Sequence, residues 1–126
     1  MEGVSVEKIA NKLQLSSYME EMDLKKRRIL VPDVNRPALQ LSGYFEYFEQ
    51  TRVQIIGMVE YTYLEQLEQE QKKQIYSQFL SYDIPCVIFC RDLQPDELFL
   101  ELAREHNVPI LSTGRGTSEF MAELIY

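Results

Sequence analysis

The run CVIFC, Cys86 to Cys90, carries no charged or strongly polar side chain at any of its positions. A strand covered on one face alternates apolar with polar residues, whereas a strand covered on both faces is apolar throughout. The segment therefore predicts a buried strand with protein on both sides. It sets the expected fold class: α/β, three-layer-like, with a mostly parallel sheet flanked by helices.

The neighbouring sequence supplies the other elements. VQIIG, Val53 to Gly57, predicts a second buried strand, and VPIL, Val108 to Leu111, a short third. RILV, Arg28 to Val31, reads as a strand stopped by Pro32. Val6, Ile9, Ala10 and Leu13 fall on the i, i+3, i+4, i+7 spacing of a helix face, with Ser5 placed to cap it. Asn35-Arg36-Pro37 reads as a turn, and Leu39, Tyr44, Phe45 and Phe48 as a short helix broken near Gly43. Tyr61 to Leu80 predicts a long polar helix, with a break hidden between Glu68 and Lys73. Pro95 opens a further helix, Asp96 and Glu97 favour its positive end, and Asn107 stops it. Its buried side is Leu98, Phe99, Leu102 and Ala103. Thr117 or Ser118 is expected to cap a last helix built on Phe120, Met121, Leu124 and Ile125. Strand and helix alternate through the last two-thirds of the chain, which favours parallel strands joined by crossovers.

The 126 residues fit a single domain, with no internal repeat, linker or low-complexity segment. A net charge of −7 argues against a nucleic-acid partner, which needs a basic face. The one basic cluster, Lys25 to Arg28, reads as a solvated segment leading into a strand. No apolar run is long enough to cross a bilayer, and the N-terminus MEGVSVEKIANKL is too charged for a secretory signal. Along a strand, Cys86 and Cys90 would stand roughly 13 Å apart, at about 3.3 Å per residue, too far to bridge. They read as buried free thiols in a reducing cytoplasm. His106 is the single histidine, so no Cys/His metal cluster forms.

LSTGRGTSEFMAEL, Leu111 to Leu124, looks like a phosphate loop and lacks its chemistry. Gly114 and Gly116 are too close together for G-x-x-x-x-G-K-[ST], and no lysine precedes Thr117. Glu119 occupies the last glycine position of the dinucleotide pattern. Open parallel sheets do bind ligands beyond the carboxyl ends of their strands. Three such ends lead to Asp33, Asn35 and Arg36; to Arg91 and Asp92; and to Ser112, Thr113, Gly114 and Arg115. If the strands are neighbours, these loops share one rim. Asp33, Asn35, Arg36, Arg91, Thr113, Gly114 and Arg115 are the candidate ligand set for an anion or nucleotide. The plainer alternative is that Asp33 and Asp92 neutralise the arginines. No catalytic set emerges, since Ser112, Thr113 and Ser118 lack a nearby base and His106 falls at a helix end. Tyr44, Tyr47, Tyr61 and Tyr63 are candidates for a protein contact, with Phe45 and Phe48 expected in the core. The last helix ends at Ile125-Tyr126 without a Gly or Asn cap or a basic last turn, so the chain is expected to be the N-terminal domain of something longer.

From DVNRPALQLSGYFEYF onward the sequence resembles the N-terminal domain of HPr kinase/phosphorylase, the bacterial serine kinase that regulates sugar uptake. The likeness continues through RVQIIG, YLEQL, IPCVIFCRDLQPDELFLELAREHNVPIL and TSEF, in the family's order and spacing. Ala38 stands where the family often has glycine, and Ser112 where it often has arginine.

The resemblance implies a parent enzyme of carbon catabolite control. That parent uses ATP and magnesium to phosphorylate a serine of HPr, the carrier of the sugar phosphotransferase system, and removes the phosphate by phosphorolysis. Fructose bisphosphate and phosphate are implied regulators, and a hexamer the usual assembly. The implied partners are the C-terminal kinase domain, HPr through that domain, and further copies of the chain. Catalytic residues are implied to lie in the C-terminal domain, so none is carried over and no cofactor is assigned here. The family's N-terminal domain is also similar to the uridine-nucleotide-binding domain of the Mur ligases. Two readings follow: an accessory domain acting through protein contacts, or a small-ligand module using the strand-end rim. A free-standing α/β interaction protein is the third.

Overall fold

The computed structural model describes residues 3–19 and 21–125, so Met1, Glu2 and Tyr126 of the sequence expectations lie outside it. In chain order the elements are β1 (Val4–Ser5), α1 (Val6–Lys12), β2 (Ser16–Ser17), β3 (Arg28–Ile29), β4 (Val34–Asn35), α2 (Ala38–Leu41), β5 (Val53–Ile56), α3 (Met58–Glu65), α4 (Gln69–Leu80), β6 (Val87–Phe89), α5 (Glu97–His106), β7 (Ile110–Ser112) and α6 (Thr117–Ile125). The main sheet has the order β2-β7-β6-β5-β4, and β4 through β7 are mutually parallel. Only β2 runs antiparallel, pairing Ser16 with Ser112.

The alternation of side chains divides the core in two. Ile56, Val87, Phe89 and Ile110 face α3, α4 and α5, while Val53, Ile55, Ile88 and Leu111 face α1 and α6. Every residue of β5 and β6 is buried, as a strand covered on both faces must be.

Local chemistry explains the helix limits. Ser5 caps α1, accepting from the Lys8 amide at 3.0 Å. The expected long helix is two: α3 ends at Glu65, and α4 begins with a capping box in which the Gln71 side chain accepts from the Glu68 amide at 3.0 Å. For α5 the cap is Asp96, whose carboxylate accepts from the Phe99 amide at 2.8 Å, and Pro95 lies just before it. Asn107 ends α5 in the left-handed conformation, φ 61°.

Four expectations are corrected. Arg28–Ile29 does not join the parallel sheet; it pairs antiparallel with Val4–Ser5 in a separate two-stranded sheet. The edge of the parallel sheet is instead Val34–Asn35, so Asn35 is a strand residue and the chain turns after it. The segment after Gly43 forms turns, not helix, and α2 is a single turn at Ala38–Leu41. Phe45 and Phe48 nonetheless pack on the core, against Tyr82 and Phe79. Finally, Arg27 is not freely solvated: it donates to the Ile84 carbonyl at 2.7 Å and faces Asp83 at 3.6 Å.

Candidate functional site

The carboxyl ends of β4 to β7 form a rim, built from Arg36, Gly57, Cys90 to Asp92 and Thr113 to Thr117. Arg91 and Asp92 are both left-handed, with φ 60° and 57°, an uncommon pair for non-glycine residues. Bonds to the neighbouring loop hold them there. The Arg91 amide donates to the Arg115 carbonyl at 2.9 Å, and the Asp92 amide to the Thr113 carbonyl at 3.1 Å. The Asp92 carboxylate lies on Gly114, where an added Cβ would come within 3.0 Å of it.

Of the candidate residues, the rim gathers Arg36, Arg91, Thr113, Gly114 and Arg115 and leaves out Asp33. Because β4 starts at Val34, Asp33 stands at the opposite end of the sheet, exposed and 3.9 Å from Arg52. Asn35 points into a polar group within the protein, donating to Gln54 at 2.7 Å and to Gln40 at 3.3 Å. Gln54 is fully buried and donates to the Glu49 and Arg52 carbonyls, which ties down the loop before β5.

The rim arginines are unequal. Arg115 reaches back across the other face, where Nη1 donates to the Leu13 carbonyl at 2.8 Å and Nε pairs with Glu123. It fastens α1 and α6 together. Arg36 pairs with Glu60 at 2.7 Å. Glu60 is buried, and the same oxygen accepts from the Gly57 amide at 2.8 Å, which caps α3. Arg91 is exposed and has no ion pair among the described residues. The rim therefore presents one uncommitted guanidinium, next to the Asp92 carboxylate, and its other charges are neutralised within the fold.

Sequence reasoning did not name Glu60, and it gave Thr117 only the role of a helix cap. The legible signal for Glu60 was the spacing Gly57-x-x-Glu60, a capping-box spacing. Thr117 is the first residue of α6 and not its cap; its hydroxyl lies against Gly57 at the top of the sheet. Burial pushes the Cys90 thiol up from 9.0 to about 11, against the opposing pull of Thr117 and Arg36. Burial pushes the Cys86 thiol up to about 12. Both cysteines are free and buried.

The candidate tyrosines separate. Tyr61 donates to the Gln94 carbonyl at 2.7 Å, and its pKa is raised by burial and then by Glu65. Tyr44, Tyr47 and Tyr63 are exposed, Tyr47 by 85% and in a left-handed conformation. With exposed Leu39, Met58 and Val59, they fall in the stretch of chain from α2 to α3. No helix among the described residues is long and apolar enough to cross a membrane.

These features define an α/β domain with an open strand-end rim. Its architecture is shared with the CBS and DRTGG domains of the regulatory region of Clostridium perfringens pyrophosphatase, solved with the activator diadenosine tetraphosphate. The TM-score is 0.62 over 97% of this chain and 46% of that one. At 17% identity, that likeness concerns the fold alone. The chain belongs to the family described as HPr Serine kinase N terminus, whose model matches residues 4–126. HPr kinase/phosphorylase from Lachnoclostridium phytofermentans is 44% identical over 99% of this chain, and that from Caldicellulosiruptor bescii 40% identical over 95%. The chain spans about 40% of the length of these relatives.

Proposed function

We propose that this chain is the accessory, non-catalytic N-terminal domain of a bifunctional HPr serine kinase/phosphorylase of bacterial carbon catabolite control, and that it works through protein contacts. The family assignment and the names of the relatives support the parent activity: phosphorylation of the carrier HPr with ATP and magnesium, and the reverse phosphorolysis. Magnesium and ATP are assigned to the parent's catalytic part. Among the described residues no three His, Cys, Asp or Glu side chains come together as metal ligands.

One observation carries the contact reading. Among the described residues, six of the seven exposed large apolar or aromatic side chains fall between Leu39 and Tyr63: Leu39, Tyr44, Tyr47, Met58, Val59 and Tyr63. Scattered apolar residues are normal on a surface; in this reading the stretch from α2 to α3, two helices that pack against each other, supplies one interaction face. In this reading the face meets the kinase part of the parent or another copy of the chain in the cytoplasm. The strand-end ligand reading is weaker, because Arg36 and Arg115 are already engaged within the fold.

The test is to incubate the chain with labelled ATP, magnesium and HPr beside a chain that continues past Tyr126 as the relatives do. Label is expected on HPr with the longer chain only. Labelling by this chain alone, undiminished on further purification, would overturn the accessory reading.

A further inference from the structure

The basic run Lys25 to Arg28 and the small sheet it enters take no part in the α2–α3 contact reading. Nor does Leu30, the seventh exposed apolar side chain, at 59%. These features meet at β3. That strand pairs with β1 along one edge only. The Val6 amide donates to the Arg27 carbonyl at 2.9 Å. By the alternation of an antiparallel pair, Arg27 and Ile29 therefore turn their backbone groups toward β1 and the start of α1, and Arg28 between them turns its N–H and C=O outward. Among the described residues no neighbouring segment bonds to those two groups. We propose that this free edge of β3 receives an extended, acidic segment of a partner protein, added as a third strand.

Charge indicates the partner. Lys25, Lys26 and Arg28 are exposed and make no ion pair among the described residues, in a chain whose net charge is −7. Lys26, Arg28 and Leu30 line a groove of about 240 Å³ with Thr51, Asp83 and Pro85. The groove's one carboxylate, on Asp83, faces Arg27 at 3.6 Å, and Arg27 also donates to the Ile84 carbonyl at 2.7 Å. Lys26 and Arg28 are left to attract acid from outside. A nucleic-acid backbone matches that charge but has no N–H for the outward Arg28 carbonyl. An extended peptide supplies both an N–H and a C=O, and an unpaired strand edge is a template for it.

The spacing limits the sequence of the added segment. Side chains on one face of a strand recur every second residue, about 6.6 Å apart. Arg28 and Leu30 stand two residues apart, so an acid opposite Arg28 calls for an apolar side chain two positions away, opposite Leu30. Lys26, just before the extended part, takes a second acid. The partner segment thus alternates acid, any residue, acid, any residue, apolar, with main-chain bonds giving affinity and alternate side chains specificity. The turn leading into β3 is already fixed, since the Lys25 amide donates to the Asp23 carboxylate at 3.0 Å and the Lys26 amide to the Asp23 carbonyl at 3.4 Å. Little ordering is left for the partner to impose.

The test is a proton–nitrogen correlation NMR titration of the full 126-residue chain with the end-blocked peptide Glu-Thr-Glu-Thr-Leu and with the same residues in reverse order, one for each strand direction. The better binder is compared with a version carrying lysine for glutamate, a version with N-methylated backbone amides, and tripolyphosphate. Saturable shifts are expected at the Arg28 and Leu30 amides, with slowed hydrogen exchange at Arg28. The lysine version should leave both amides unmoved. The N-methylated version should bind at least about tenfold more weakly, a loss of roughly 1.4 kcal/mol. Lys26→Glu combined with Arg28→Glu, both at exposed side chains, should weaken the acidic peptide by as much. Absence of saturable shifts with about 1 mM of either acidic peptide would overturn the proposal. Equal binding of the N-methylated version would do so as well, since charge alone would then account for the contact. Tripolyphosphate moving the Arg28 amide with the affinity of the peptide would also overturn it, and would assign the patch to small anions.

Discussion

Gly57 and Thr117 touch across the top of the sheet: a Cβ added to Gly57 would lie 2.6 Å from Thr117 Oγ1 and 2.7 Å from Arg36 Nη2. Glycine is required here for close approach, since its φ of −111° is open to any residue. Three segments, the end of β4, the start of α3 and the start of α6, meet over this one α-carbon. Gly57→Ala should therefore destabilise the chain by about 2 kcal/mol through overpacking. Thr117→Ala, which removes Oγ1 and Cγ2 but leaves Arg36 Nη2 in place, should recover about half of that loss. Urea midpoints of the two single variants and the double variant measure the coupling; strictly additive effects would show that the two residues do not press on each other.

The Arg36–Glu60 pair leads to a second expectation. Removing one member of a buried pair leaves the other charge uncompensated, at about 3–5 kcal/mol for full burial. Arg36 is 36% exposed, so its loss is partly offset by water. Arg36→Met should cost about 2 kcal/mol, and Arg36→Met combined with Glu60→Gln should cost less than the sum of the two single variants. Thermal melts of the three chains decide it; a neutral Arg36→Met would mean that Glu60 is held by the Gly57 amide alone.

Much of this architecture was readable beforehand, and the failures share a cause. CVIFC predicted its own burial because its pattern is local and admits one explanation. The Asp96 and Asn107 ends of α5 were legible because cap chemistry is local as well. Val34–Asn35 was missed as a strand because two residues between prolines carry no periodicity; pairing with Val53 and Gln54 makes the strand. Arg28–Ile29 left the main sheet because its partner, Val4–Ser5, lies far away in sequence. The site suffered more. Nothing near Arg115 announces that its guanidinium will bond Leu13 and Glu123.

The buried thiols predict a pH effect. Folding raises Cys90 from 9.0 to about 11 and Cys86 to about 12, chiefly through burial. A pKa raised in the folded state contributes stability that is complete below the unfolded value and is lost as pH rises toward the folded one. Stability should hold to about pH 8 and fall across the range from about 9 to 12, less so in Cys86→Ala and Cys90→Ala chains. A thiol reagent at about pH 8 should react only as fast as the chain opens. Rapid stoichiometric reaction in the folded state would contradict the burial argument.

The two ends of the protection scale should differ. Ile88 lies at the centre of the sheet, whereas α6 is anchored by buried Phe120 and only partly covered at Met121 and Leu124. Short helices have little stability of their own and rely on packing. Amides of Glu123 to Ile125 should exchange far faster than those of Val87 to Phe89, as read by hydrogen-exchange NMR. Equal protection would mean that α6 is held as firmly as the sheet.

The proposed contact of the α2–α3 face with the rest of an HPr kinase is open to a direct measurement. This chain is joined to the downstream part of the Lachnoclostridium phytofermentans HPr kinase/phosphorylase, in place of the matched 40% of that enzyme. HPr phosphorylation and sedimentation are then compared with and without Val59→Asp and Tyr63→Ser. Both side chains are exposed, so the fold should be unaffected. The paired substitution should shift the sedimentation of the joined enzyme, or change its HPr-labelling rate by about threefold or more, the change expected from losing roughly 0.7 kcal/mol or more of contact. Unaltered sedimentation and unaltered labelling would contradict the proposed contact.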